Sequence, residues 1–408
     1  MEVLRFVSVI LMAALEAYYA LLLLCNIIGI FCKKKQYPAA EPFHIAVMIC
    51  ARNEENVIGN LLDSLYRQDY PADKMKVFVI AHNCTDKTAC IAREWGATVF
   101  ERNDPAETFK GHALHYGVER LKTLYPDTFD ALCVFDADNV AGRTFLKEMN
   151  AALHSDADVV QGFRNSKNYH ESVVSELFGA YWYQIMLSQN LPHSAMGLPS
   201  TIGGTGFAVK MDALADGWET YTMLEDIEFT CQMVLAGKKC TIAPYAMFYD
   251  EQPTTFKVGM RQRYRWSVGG YQVLKQYLPK MFRAIHKRGA KAVKMIVDLL
   301  VNPVMLISLC GFVIRIMSVL LTGDVLGLAL FLLGVIGLVW ICVFPATMVM
   351  LLRQRMNPLK NLWTILLFPY FLLISMLFAV PALFDRNPKW KPIPHTDKTT
   401  IETIEKTA

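Results

Sequence analysis

The stretch that decides the fold is Leu132-Cys133-Val134-Phe135-Asp136-Ala137-Asp138-Asn139, an apolar run that ends in two carboxylates one residue apart. The short apolar run reads as a buried strand. In an extended chain, residues two apart point the same way. Asp136 and Asp138 can therefore face one point, where hard oxygen ligands suit Mg2+ or Mn2+. The pair also fits an ordinary polar strand terminus, so its surroundings have to choose between the readings.

Upstream, the pattern repeats. His44 to Cys50 is an apolar run followed by Ala51-Arg52-Asn53-Glu54-Glu55. Lys76 to Ala81 is another, followed by His82-Asn83-Cys84-Thr85-Asp86. Helical patterns cover Asn56 to Gln68 and Thr85 to Trp95. Strands alternating with helices predict an α/β fold whose mainly parallel sheet is covered on both faces. Such sheets bind ligands beyond the carboxyl ends of their strands, where all three polar clusters fall.

Farther out, the 408-residue chain splits in composition. Phe6 to Ile30 is apolar and long enough for a bilayer, which needs roughly 20 residues. No small-x-small cleavage site precedes Lys33-Lys34-Lys35, so this is not a cleaved signal. The three lysines mark the cytoplasmic side and put the amino terminus outside. Apolar segments near 295–321, 325–352 and 362–384 bring the expected spanning helices to four. The layout predicts a transmembrane helix with basic flank over 1–35 and a cytosolic domain with interfacial segments over 36–289. Further membrane helices follow over 290–385, then a tail over 386–408. A net charge of +4 is too small and dispersed to argue for nucleic acid. The ten cysteines show no Cys-x-x-Cys pair or zinc spacing and fit a reducing, cytosol-facing domain.

Two more clusters follow the carboxylate pair. Leu224-Glu225-Asp226 is either the acidic first turn of a helix or contains a general base, Asp226, that takes the proton of an incoming hydroxyl. Gln262-Arg263-Tyr264-Arg265-Trp266 is either a juxtamembrane helix with snorkelling arginines or a cationic clamp for a diphosphate.

Asp-Ala-Asp, Glu-Asp and Gln-x-x-Arg-Trp, in this order and spacing, resemble the motifs of membrane-embedded family 2 glycosyltransferases. That group includes chitin, hyaluronan, cellulose and poly-N-acetylglucosamine synthases. The resemblance implies a GT-A-like nucleotide-sugar-binding domain, a UDP-sugar donor, Mg2+ or Mn2+, and a polysaccharide or glycolipid acceptor at a lipid bilayer, the plasma membrane being the expected one. By it, Ala51, Arg52 and Glu54 hold the base and ribose, Lys110-Gly111 lies beside the donor, Asp136 contacts the donor and Asp138 ligates the metal. Gly204, Thr205 and Gly206, with Glu225, form the acceptor side, and Asp226 is the catalytic base. Gln262, Arg265 and Trp266 stand at the diphosphate and the acceptor terminus. The implied activity is inverting, processive synthesis of a polysaccharide exported through the protein's own helices. Single-sugar transfer to a lipid and a non-catalytic nucleotide-sugar sensor are the alternatives.

Three features sit less simply. His82 stands where the family usually has an Asp against the nucleotide base; it either replaces that contact or is a plain loop histidine. Asp298 and Arg315 either line a polymer channel or cap helix ends. Lys389-Trp390-Lys391-Pro392-Ile393-Pro394-His395 is a recognition or gating element, or an interfacial anchor. Four crossings would leave it outside unless one apolar segment is re-entrant.

Overall fold

A computed structural model describes residues 2–323, 325–385 and 395–407. Eight strands form one sheet: β1 (Ile45–Ala51), β2 (Met75–His82), β3 (Thr98–Arg102), β4 (Ala131–Asp136), β5 (Val140–Ala141), β6 (Val159–Ser166), β7 (Phe207–Lys210) and β8 (Cys240–Asp250). Their order is β3-β2-β1-β4-β7-β6-β8-β5. β1 pairs in parallel with β2 and β4, β2 with β3, and β6 with β8. β7 is antiparallel to both β4 and β6, so the sheet is mixed but mostly parallel. Ile45 to Ile49 are fully buried on both faces, which explains why β1 is an unbroken apolar run rather than an alternating one.

Helices cover both faces. After α1 (Glu2–Phe31) come α2 (Ile58–Tyr66), α3 (Thr88–Glu94), α4 (Lys110–Leu124) and α5 (Phe145–Leu153). Leu61, Leu65, Phe145 and Met149 of α2 and α5 pack on Val47, Ile49 and Phe135 from one side of the sheet. Leu114, Val118 and Leu121 of α4 pack on Met48, Ile80 and Val134 from the other. The register sets Cys50 opposite both Ile80 and Asp136. The ends of β1, β2 and β4 are therefore level, and their polar sequels meet at one edge.

The remaining helices are α6 (Val173–Ile185), α7 (Leu191–Ala195), α8 (Glu225–Ala236), α9 (Phe256–Arg288), α10 (Ala290–Leu299), α11 (Val301–Thr322), α12 (Val325–Arg353), α13 (Leu362–Met376), α14 (Ala379–Phe384) and α15 (Ile401–Thr407). α11 and the stretch Leu362–Phe384 are long and apolar enough to cross a membrane by length and composition. α1 lies along α11, where Gly311 permits close approach: a Cβ there would stand 2.8 Å from Leu11 Cβ. At the other end of α1, Arg353 donates to the carbonyls of Gly29 and Cys32, joining the two basic flanks.

Leu362–Phe384, one of the four segments expected to span, is also held to helices that precede it in the chain. Near its start, Thr364 Oγ1 donates to Glu176 Oε2 of α6 at 2.6 Å. Midway, Phe371 packs edge-on against Phe178, 5.1 Å between ring centres. Just past its end, Tyr264 of α9 donates to Asp385 Oδ2 at 2.6 Å. The stretch breaks into α13 and α14 at Leu377–Phe378. The start of the stretch is thus tied to α6 and the residue after its end to α9.

The tail, from His395 on, lies beside the sheet. Ile401 and Ile404 of α15 are buried against Val140. Glu402 pairs with Arg67 at 2.5 Å and Glu405 with Arg143 at 2.7 Å. Lys389 to Pro394 lie outside the described residues; His395, which follows them, is in the site described below. Ile404→Asp puts a charge into that small apolar contact. It is expected to speed tryptic cleavage after Lys398 at least about tenfold, read by limited proteolysis, because local opening governs such cleavage.

Candidate active site

A cavity of about 540 Å³ opens at the carboxyl ends of the strands and runs on to α11, α12 and α13. Ala51, Arg52, Glu54, His82, Lys110, Asp136, Asp138, Gly204, Glu225, Asp226, Gln262, Arg265 and Trp266 all line it. The three separated sequence clusters thus meet in one place.

Lys110, the first residue of α4, organises the centre. Its Nζ contacts Asp136 Oδ1, donates to the Gly204 carbonyl at 2.7 Å and stands 3.9 Å from Glu225 Oε1. Burial works against the Lys110 cation, but Asp136 and Glu225 outweigh it and hold the pKa above its ordinary value. Burial raises the Glu225 carboxyl to about 7 and also pushes Asp226 up. Asp226 sits in the first turn of α8, where its Oδ1 accepts from the Ile227 N–H at 2.8 Å. Helix start and candidate base are the same feature. The left-handed Gly204, φ +78°, keeps the loop close: a Cβ there would lie 3.3 Å from Asp226 Oδ2.

Thr205 and Gly206, expected on the acceptor side, are not among the residues that line the cavity; both are buried behind its wall. Thr205 Oγ1 accepts from the Asp136 N–H at 2.8 Å and donates to Asn139 Oδ1, fixing the carboxylate strand end. Gly206 has φ +60°, and a Cβ would overlap the Phe248 ring. Gly206→Ala combines left-handed strain with overpacking, and is expected to destabilise the protein by about 3 kcal/mol, read as a lowered midpoint of thermal unfolding.

Across the centre, the half-buried Arg265 lies near Glu225, Asp136 and Asp226, and its buried Nε has no hydrogen-bond partner among the described residues. Burial lowers its pKa and these carboxylates raise it. An unsatisfied guanidinium pointing into a cavity is suited to a diphosphate.

At the opposite side, His395 enters from the tail. Its Nδ1 is 3.0 Å from Glu54 Oε1 and its Nε2 is 3.8 Å from Asp138 Oδ2. Burial opposes the His395 cation, but Asp138 and Glu54 lift its pKa to about 10. Burial alone would raise Asp138; the charges of His395, Lys167 and Arg164 outweigh it and hold Asp138 low. Glu54 is raised by burial to about 7, with His395 acting against the rise. No group of three His, Cys, Asp or Glu side chains spaced for a metal occurs among the described residues. The donor chemistry nevertheless fits Mg2+ or Mn2+: Asp138 offers a buried carboxylate, and such ions commonly complete their shell with phosphate oxygens and water.

His82 is buried, and its Nε2 donates to the Glu107 carbonyl at 2.6 Å. Burial lowers its pKa, which favours the neutral ring, and with Nε2 donating, that ring leaves Nδ1 as an acceptor. Asp298 lines the cavity and pairs with Lys294 at 2.6 Å. Arg315 does not line it and lies 5.6 Å over the Phe331 ring.

Sequence reasoning missed Arg164, Asp250, Tyr181, Trp182 and the wall role of Arg263. Arg164 Nε donates to Asp250 Oδ2 at 2.7 Å, and its guanidinium stacks 3.6 Å over Trp182. Burial raises the Asp250 carboxyl to about 6, with Arg164 acting against it. Asp250 ends β8 as Asp136 ends β4, so the strand-end rule reaches it once β8 is recognised.

This edge-of-sheet cavity, with its carboxylate pair, helix-start Asp and half-buried arginine, defines a glycosyltransferase of GT-A type. A match to the family described as glycosyltransferase like family 2 covers residues 42–269, more than half of the chain, and the protein belongs to that family. It is 26% identical over 254 residues to a protein named probable glycosyltransferase YdaM of Bacillus subtilis, covering 60% of this chain and 59% of that one. It is 28% identical over 252 residues to a beta-monoglucosyldiacylglycerol synthase of Nostoc, 59% of this chain and 51% of that one. Identity to a poly-beta-1,6-N-acetyl-D-glucosamine synthase of Staphylococcus aureus is 23%, covering 59% and 58%. The chain thus spans between 51% and 59% of these relatives' own length. A mannosyltransferase from Pyrobaculum calidifontis, solved with GDP-Man and Mn2+, shares the fold, with TM-score 0.61 and 17% identity. It covers 94% of this chain and all of its own.

Proposed function

We propose that the protein is an inverting glycosyltransferase, anchored in a membrane with its sheet domain on the cytosolic side, that moves a sugar from a UDP-sugar to the hydroxyl of a membrane-held acceptor. The observation that carries this reading is the continuity of the cavity. One end holds Lys110, Asp136, Asp226 and Arg265; the other is walled by Leu299, Val301, Met305, Val343 and Leu372.

In this reading Ala51, Arg52, Glu54 and His82 seat the nucleoside, with the free Nδ1 of His82 available to accept from an N–H of the base. Arg265 and Gln262 hold the diphosphate. Asp226 takes the proton of the acceptor hydroxyl as its oxygen attacks the anomeric carbon, and the bond to UDP breaks on the opposite side. Arg265 offsets the charge that develops on the departing diphosphate. A divalent ion, held by Asp138 with Asp136 and His395 beside it, would add Lewis-acid stabilisation to that same charge when bound.

Single transfer to a lipid is favoured over processive export by two observations. The membrane-side arm has an apolar wall suited to an acyl or isoprenoid chain. Of the two charges that could have lined a polymer path, Arg315 is off the cavity and Asp298 is already paired. The Nostoc relative's name points the same way. In vesicles containing lipid acceptors, one sugar per lipid is expected as the product, measured by mass spectrometry; a ladder of chain lengths would restore the processive reading. The sensor reading gains only if UDP binds but no UDP-sugar is consumed.

A further inference from the structure

Of the five arginines of α9, Arg263 and Arg265 are two residues and therefore about 200° apart around the helix. Arg265 faces Glu225, Asp136 and Asp226. Arg263 faces the other way, into aromatic rings, and still lines the cavity. Its guanidinium lies 3.7 Å over Tyr181 and 4.9, 5.1 and 5.3 Å from the rings of Phe371, Trp266 and Phe178.

Only 8% of Arg263 is exposed, and its Nε and Nη2 have no hydrogen-bond partner among the described residues. No carboxylate pairs with it among those residues either. Stacked rings stabilise a cation, but they leave these two N–H groups without an acceptor. Burying a charge without an anion is unfavourable. Arg164 provides an internal comparison. It sits on a ring in the same manner, 3.6 Å over Trp182, but Asp250 completes it. The aromatic seat thus occurs twice, and only one copy has its anion built in.

The rings also fix where the incomplete seat lies. Trp182 meets Trp266 at 5.5 Å, Trp266 stacks with Tyr181 at 6.0 Å, and Tyr181 carries Arg263. That line starts at the Arg164–Asp250 pair beside the reaction centre and ends at Phe371 of α13. Leu372, next in the chain, is part of the apolar wall. Arg263 is therefore at the junction between the polar centre and the apolar arm.

We propose that Arg263 is the seat for an anionic group, a phosphate or carboxylate, carried by the membrane-held acceptor. The acceptor is then an anionic amphiphile: its chain lies in the apolar arm, its charge on the free N–H groups of Arg263, and its reacting oxygen toward Asp226. A guanidinium forms paired hydrogen bonds with either anion, which gives the seat orientation as well as attraction. This assignment rests on the membrane-held acceptor proposed above.

The test uses the full chain in nanodiscs of neutral lipid, without donor. Binding of dodecyl phosphate, dodecanoate and dodecanol is followed by tryptophan fluorescence, with UDP binding as a control for folding. Wild type is expected to bind both anionic amphiphiles at least tenfold more tightly than dodecanol. Arg263→Gln is expected to abolish that preference, and Arg263→Lys to keep part of it. Equal binding of all three by wild type would overturn the anion seat while leaving the membrane-held acceptor standing. Binding of none would contradict the membrane-held acceptor itself. A preference that survives Arg263→Gln would move the seat elsewhere. Displacement of dodecyl phosphate by inorganic phosphate at equal concentration would assign a soluble phosphate instead of a lipid. If Arg263→Gln loses UDP binding, the comparison of amphiphiles on wild type and Arg263→Lys decides.

Discussion

Asp226→Asn is expected to lower turnover by about a thousandfold or more while UDP binding stays within about twofold. A positioned general base contributes roughly a hundred- to ten-thousandfold, and Asn keeps the shape while losing the lone pair that takes the proton. The fold should tolerate the change. Asp226 is half-buried beside Glu225, and its charge is already disfavoured by desolvation, so a neutral amide removes a disfavoured anion rather than leaving a cation unmatched. Lys110 keeps Asp136, Glu225 and the Gly204 carbonyl as partners. The pH dependence follows the same logic: the base must be deprotonated, so the rate falls as pH drops through its raised pKa. Turnover retained in Asp226→Asn would take the base role from Asp226, with Glu225 next to be tested.

Asp138→Asn is expected to have the second large effect, and on a different quantity. Wild type should bind UDP much more tightly with Mn2+ than without, because a divalent ion held by Asp138 would add several kcal/mol of charge stabilisation. In Asp138→Asn that enhancement should disappear, leaving metal-free binding near the wild-type value, as read by calorimetry. Turnover with Mn2+ should fall by a factor of about a thousand, which those several kcal/mol represent. Three cationic groups, His395, Lys167 and Arg164, act on Asp138. Its loss removes an anion that they share, so a thermal unfolding control belongs beside the calorimetry. A Mn2+ effect surviving in this variant would move the metal away from Asp138.

How much of this was legible beforehand depended on the kind of residue. β1, β2 and β4 were readable because they are buried on both faces and appear as unbroken apolar runs. β6 was not: Val159-Val160-Gln161-Gly162-Phe163-Arg164 carries a fully buried Gln161, whose amide donates to the Thr205 carbonyl at 3.0 Å. A polar residue satisfied only by tertiary contacts looks like a loop in sequence. Missing β6 and β8 hid Arg164 and Asp250. The short motifs on α8 and α9 were found because their charges are dense and local. His395 belongs to neither class: it reaches Glu54 across 341 positions. Apolar length picked out Leu362–Phe384, but its contacts with Glu176 and Tyr264 could not be read from length. The same stretch contributes Leu372 to the cavity wall.

The most direct measurement supplies the purified protein, in vesicles with Mn2+ and lipid acceptors, with a panel of UDP-sugars and GDP-sugars. Nucleotide release is followed, and the anomeric configuration of the product is read by NMR. Metal-dependent release of UDP from one UDP-sugar is expected, with the sugar's configuration inverted and the product a singly glycosylated lipid. Retained configuration, or no release from any nucleotide sugar despite tight UDP binding, would contradict the proposed function.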